Sequence, residues 1–220
     1  MSCEHGGNRV PPRFGMCFSN RTLDTHRGWD PGALSLARDI ARATGAPLFH
    51  STISRLLVEL NRPLGHPQVF HLELSEPVRQ NLLRRYYLPY WRAIETAIRK
   101  ARRRVVHLSV HSFTPRFRGV TRATDVGLLF DPRRPAETAF CRRWERELAT
   151  ANPKLRVRDN DPYAGVHPSV VQSMRERFGR SRYVGIQVEV NQRFARGAEA
   201  RWRTLRAQLV ASLLRAMHLQ

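Results

Sequence analysis

The sequence predicts an α/β domain: a single mixed, mostly parallel sheet flanked by helices. Three observations carry that expectation. Short apolar runs alternate with helix-period segments along the whole chain, the pattern of strands joined by helical crossovers. The clearest run, Val105–Val110, is rich in β-branched residues and ends at His111. The chain has 220 residues with no internal repeat and no Gly/Ser linker, so residues 1–220 read as one domain.

The elements follow in order. The first thirty residues, rich in Gly, Pro, Asn and Arg, read as loop. Pro31–Thr44 reads as a helix because Leu34, Ala37, Ile40 and Ala41 share a face. Asp30 stands at its N-cap, Pro31 at its first position and Gly45 past its end. A short strand around Leu48–Thr52 leads through Leu56–Leu60 to a turn at Asn61–Pro67. Two helices, Ser75–Tyr86 and Tyr90–Arg103, are expected on either side of Pro89. After the Val105 strand come strand Val126–Phe130, helix Ala136–Ala149, strand Leu155–Arg158, helix Pro168–Phe178, strand Tyr183–Val190 and helix Ala195–Met217. In such sheets functional groups gather beyond the carboxyl ends of strands, where His111 and Glu189 lie.

Composition removes several classes. No stretch approaches the ~18 apolar residues of a membrane helix, and the opening residues hold no signal-peptide core. Cys3, Cys17 and Cys141 are odd in number and scattered, which argues against a disulfide framework or a thiolate zinc site. A cytoplasmic setting is therefore expected. The 38 basic and 18 acidic residues give a net charge of +20, and lysine occurs only at Lys100 and Lys154. Three readings compete: arginine-biased solvated surface, a nucleic-acid footprint, and an electropositive cleft for a small anion. Composition alone favours the first.

Four polar clusters could carry chemistry: Cys3–Asn8, Asp24–Asp30, Arg55 with Asn61 and Arg62, and His107 and His111 with the distant Glu189 and Asn191. In the first, Gly6 and Gly7 let the backbone approach a neighbour closely. Two histidines and a carboxylate from separate loops suffice for a catalytic zinc with an open position for water. No H-E-x-x-H signature is present. Each residue also has a plain structural reading. His5 could be solvated, Asp30 only a helix cap and His26 an exposed loop histidine. His107 is a satisfied interior histidine on an alternating strand, and Arg55 and Arg62 belong to a chain full of arginines.

Seven ordered segments carry a resemblance: SCEHGGN, THRGWDPGA, STISRLLVELNRP, YYLPYW, HLSVHSFTP, TDVGLLFDPRRPAE and GIQVEVNQ. Together they resemble the N-formylglutamate amidohydrolase family from about Ser2 to Gln192. The resemblance implies a zinc-exopeptidase type of fold, related to carboxypeptidases and aspartoacylases. It implies metal-dependent hydrolysis of N-formyl-L-glutamate or a related N-acyl acidic amino acid, with one divalent ion, zinc. On it, His5, Asp30 and His111 are the metal ligands, Asp24 or His26 being alternates to Asp30. Asn61 and Arg62 hold the substrate carboxylate, Arg55 polarises the scissile carbonyl and Glu189 is the general base. Gln187 stands where many relatives have a second glutamate.

Only Met1-Ser2-Cys3-Glu4 precede His5, so the sheet is expected to lack its first strand and leave His5 poorly anchored, unless the chain starts upstream. The partner implied is a small anionic N-acyl amino acid, with no specific nucleic acid and no membrane. Two rivals remain: a zinc carboxypeptidase or amidase acting on short peptides, and a catalytically degenerate, basic nucleic-acid-binding protein.

Overall fold

The apolar runs assemble as a sheet whose two central strands are the longest. The computed structural model describes residues 1–218. Six strands form the main sheet: β1 Ser2–Cys3, β2 Phe49–His50, β3 Val105–Phe113, β6 Val126–Leu129, β7 Val157–Asp159 and β8 Tyr183–Asn191. Two further strands, β4 Arg116–Phe117 and β5 Val120–Thr121, make a separate antiparallel hairpin. The sheet order is β2-β1-β3-β8-β6-β7. The first four strands run parallel, β6 is antiparallel to β8, and β7 is parallel to β6. The β3–β8 register places His111 directly opposite Glu189.

Side-chain alternation on β8 divides the interior in two. Val184, Ile186, Val188 and Val190 face one core, built with helices α2 Ala33–Thr44, α5 Pro135–Ala151 and α8 Glu199–His218. Tyr183 faces a second core, built with α3 Glu76–Leu82, α4 Leu88–Lys100 and α6 Val170–Arg177. Both faces of the sheet are therefore covered, as a largely parallel sheet requires.

Several expected boundaries move for physical reasons. The two helices expected around Pro89 form one rod, joined by a π-helical turn over Leu83–Tyr87. There the Leu88 N–H bonds the Leu83 carbonyl, five residues back. That widening makes room for a proline ring that would strike the carbonyl four residues earlier in a regular helix. Helix α2 begins at Ala33 with Gly32 at its N-cap, and Asp30 makes no side-chain cap. At its other end Gly45 takes the left-handed conformation expected of it, φ 68°. The segment read as loop contains β1, a 3₁₀ stretch over Pro12–Cys17 and the short helix α1 Asn20–Leu23. The last helix starts at Glu199 because Gly197 follows a separate turn, α7 Gln192–Ala195.

Candidate active site

The first strand is present and His5 is well anchored, contrary to the expectation from the short N-terminal segment. Ser2 and Cys3 pair with Phe49 and His50 of β2, and Ser2 also pairs with Ser109 of β3. A strand flanked on both sides is fixed even at two residues, and His5 follows it at 1% exposure. The close backbone approach expected at Gly6 and Gly7 is to segment 51–52. A Cβ on either glycine would stand 2.8 Å from the carbonyl oxygen of Ser51 or Thr52. The Asp30 N–H bonds the His5 carbonyl at 2.9 Å, tying the second motif to the first. His111 arrives from β3, which runs on to Phe113 instead of stopping at His111.

These three side chains meet. Asp30 Oδ2 lies 3.2 Å from His5 Nδ1 and 2.8 Å from His111 Nδ1, and the two imidazole rings are 5.0 Å apart. Their potential ligand atoms all fall within 4.8 Å of one another, so a single ion could be held by two histidines and a carboxylate. Asp30 is thus turned into the site. The alternates stand outside that cluster: Asp24 accepts a bond from Asn8 at an exposed position, and His26 sits in the wall of the same cleft, edge-on to Phe117.

Four buried carboxylates surround the histidines, and their electrostatics differ. Burial pushes every one upward. For Glu4 the hydrogen bond and charge of His111 prevail and hold it at about 2. For Glu59 Arg55 and His5 win, and for Asp30 the two histidines do, holding both well below the usual carboxylate range. Arg55 donates to Glu59 from Nε at 2.8 Å, sets Nη2 2.6 Å from the same oxygen, and brings Nη1 to 3.5 Å from Asp30. Glu189 is the exception. Burial dominates there and, with Asp30 adding to it against His111 and Arg55, raises Glu189 to about 7. Its Oε2 is buried and has no hydrogen-bond partner, which marks the place where a cation, water or substrate would satisfy it.

A cleft of about 190 Å³ opens over this cluster. Its wall includes Arg55, Arg62, Asn61, Tyr163, His167 and Glu189, so a small anionic ligand suits it better than a polymer. Arg62 is half-buried, and its Nη1 donates to the Asn61 and Pro168 carbonyls at 3.2 and 2.9 Å. Asn61 spends Oδ1 on the Val170 N–H, and its Nδ2 lies 3.3 Å from His111 Nε2.

The family model for N-formylglutamate amidohydrolase matches residues 1–195. The chain belongs to that family. No curated protein matches it significantly. Among solved structures, it is similar to gene product Atu2144 from Agrobacterium tumefaciens, with a TM-score of 0.83 and 25% identity over 99% of this chain and 89% of that one. It is also similar in fold to N-formylglutamate amidohydrolase from Ralstonia eutropha JMP134, with a TM-score of 0.71 and 22% identity over 99% and 92% of the two chains. The single α/β fold with a mostly parallel mixed sheet is shared with these neighbours.

Within this amidohydrolase chain the seven residues singled out from the sequence, His5, Asp30, Arg55, Asn61, Arg62, His111 and Glu189, all line the one cleft. His107 does not. It is an interior histidine bonded to Tyr183 Oη at 2.6 Å and Ser2 Oγ at 2.9 Å. Gln187 lies in the same wall, two positions before Glu189 on β8. Sequence reasoning missed Glu4 and Glu59. Glu59 carried a usable signal, a carboxylate inside the apolar run Leu56–Leu60, which is costly unless paired.

Proposed function

We propose that this family member is a zinc-dependent, cytoplasmic amidohydrolase that cleaves the amide bond of N-formyl-L-glutamate or a related N-acyl acidic amino acid. The observation that carries the reading is the convergence of His5, Asp30 and His111 beside the unpartnered oxygen of Glu189, at the floor of a small arginine-walled cleft.

The donor set of two imidazoles and a carboxylate suits a divalent ion of zinc's preferences. Such an ion supplies Lewis acidity to an amide carbonyl and makes a nucleophile of water near neutral pH. The chain's own groups do the rest. Arg62 offers the Nη2 of its guanidinium to the substrate α-carboxylate, helped by the Asn61 amide. Arg55 faces the reacting centre through Nη1 and shares the negative charge that builds on the carbonyl oxygen. Glu189 takes the proton from the attacking water and returns it to the departing amine nitrogen. Formate and the free amino acid are the products.

The deciding experiment couples metal analysis to formate release. Purified protein should carry close to one zinc per chain and release formate from N-formyl-L-glutamate. Chelation should abolish turnover, and added zinc should restore it. Zinc-loaded protein that cleaves no N-formyl or N-acyl acidic amino acid would defeat the proposal.

A further inference from the structure

Each of the two histidines is gripped by a carboxylate on the side away from Asp30. Both turn Nδ1 to Asp30 Oδ2, and each Nε2 meets a different buried glutamate. Glu59 Oε1 lies 2.5 Å from His5 Nε2, and Glu4 Oε2 lies 3.1 Å from His111 Nε2. The glutamates are themselves immobilised. Ser109 Oγ donates to Glu4 Oε2 at 2.8 Å and Tyr90 Oη to Oε1 at 2.9 Å. Arg55 Nε donates to Glu59 Oε2, and the Asn61 backbone N–H donates to Oε1. Ser109 Oγ at 3.0 Å and Asn61 Nδ2 at 3.3 Å also face His111 Nε2. The serine's one proton is directed to Glu4, and the amide is the more distant group. A charge-assisted bond is about twice as strong as a neutral one, so the imidazole proton belongs on the glutamate side.

A ring nitrogen that carries a proton cannot bind a metal. Which nitrogen is free is set by the bond that the other one makes. The charge balance agrees with a cation between the rings. With both rings neutral, Glu4, Asp30 and Glu59 outnumber Arg55, so the cluster is net negative even before Glu189 is counted.

We infer that Glu4 and Glu59 are positioning residues: each holds its histidine as the Nε2–H tautomer, so that the Nδ1 lone pairs of His111 and His5 and the Asp30 carboxylate face one divalent ion. The inference deepens the metal-site reading above and rests on it. Neither glutamate touches substrate or the ion. Without Glu4, His111 is free to take either tautomer and to turn its ring, so binding must pay to order it.

The test measures zinc affinity of the folded apoprotein by competition with a chromophoric chelator, alongside imidazole ¹⁵N spectra of the zinc-loaded form. Wild type should bind zinc with both histidines protonated at Nε2. Glu4→Gln should fold, bind zinc about 10–100-fold more weakly, and show a changed His111 imidazole signature. Glu59→Gln should do the same for His5. A Glu4→Gln protein that melts lower as the apoprotein yet binds zinc as wild type does would make Glu4 merely structural and overturn the inference. A wild-type spectrum with Nδ1–H on either histidine would overturn it with no variant at all, which covers the case of a variant that fails to fold. Ser109→Ala, which removes the hydroxyl held to Glu4 and facing His111 Nε2 but leaves Glu4 itself, should weaken zinc binding by a smaller factor. Wild type that binds no zinc would remove the metal-site reading and this inference together, whereas unchanged affinity in the glutamate variants removes this inference alone.

Discussion

Glu189 differs from the other buried carboxylates in one respect: Glu4, Asp30 and Glu59 are hydrogen-bonded or paired, whereas its Oε2 has no partner. It stands opposite His111 on a rigid nine-residue strand, so the orphaned oxygen is held in place by the sheet. If it moves the proton of the attacking water, Glu189→Gln should keep the metal and lower kcat by ~10²–10⁴. Normal turnover with a lowered melting temperature would make it structural instead. Arg62 is tested through KM. Its Nη1 is occupied by two carbonyls and its Nε by Gln68 Oε1, so Nη2 is what remains for a substrate carboxylate. A charge-assisted contact is worth ~1.5–3 kcal/mol, so Arg62→Ala should raise KM for acidic substrates roughly 10–150-fold. Arg62→Lys should recover only part of that, because an ammonium cannot keep the carbonyl and Gln68 contacts while reaching the carboxylate. Unchanged KM in both variants would place Arg62 on an ordinary solvated surface.

Among elements, α6 is fastened to the sheet by an ion cluster that plays no part in the chemistry. Glu137 of α5 is fully buried and accepts from Arg175 of α6 at 2.9–3.0 Å, pairs with Arg134, and also takes the Asp131 and Gly185 N–H groups. Removing one partner of a buried pair leaves an uncompensated charge. Arg175→Met should therefore cost about 3–5 kcal/mol in urea unfolding, and a loss below about 1 kcal/mol would show that Arg134 suffices alone. This cluster could not be foreseen, since nothing in the sequence separates Arg175 from the solvated arginines around it. The strands and most helices were legible because apolar periodicity is local. The π-helical turn was not, because Pro89 reads as a break until the chain on both sides is seen to pack as one rod. The candidate metal cluster was legible only through motif resemblance, since His5, Asp30 and His111 are brought together by sheet order. Glu59 was concealed by the usual assumption that a glutamate near arginines is exposed, and Glu4 had only its place beside His5 to recommend it.

At the scale of the whole molecule, the +20 charge and the pH response of stability are properties of many residues together. Exposed arginines such as Arg102, Arg103 and Arg104 lie at the start of β3, the end of the sheet away from His111. Weak oligonucleotide binding without sequence preference, fading as salt rises, is the expected result. Nanomolar, sequence-specific binding at physiological salt would count against an enzyme whose charge is mostly solvated surface. Acid stability has a more local origin in His107, which links Ser2 of β1 to Tyr183 of β8 across β3. Burial, with the N-terminal ammonium adding to it, lowers its pKa to about 3, whereas the unfolded chain returns it to 6.5. Between those values the unfolded state holds one proton more than the folded state. Stability from this group is therefore complete above pH 6.5 and declines as pH falls towards 3, with a slope of up to ~1.4 kcal/mol per pH unit. His107→Gln fills a similar space and does not titrate. It should lower stability at pH 7 through a lost hydrogen bond, yet lose less on going from pH 6 to pH 5, a range chosen above most carboxylate titrations. Urea unfolding of both proteins at those two pH values measures the difference. Parallel declines would show that His107 does not govern the acid limb.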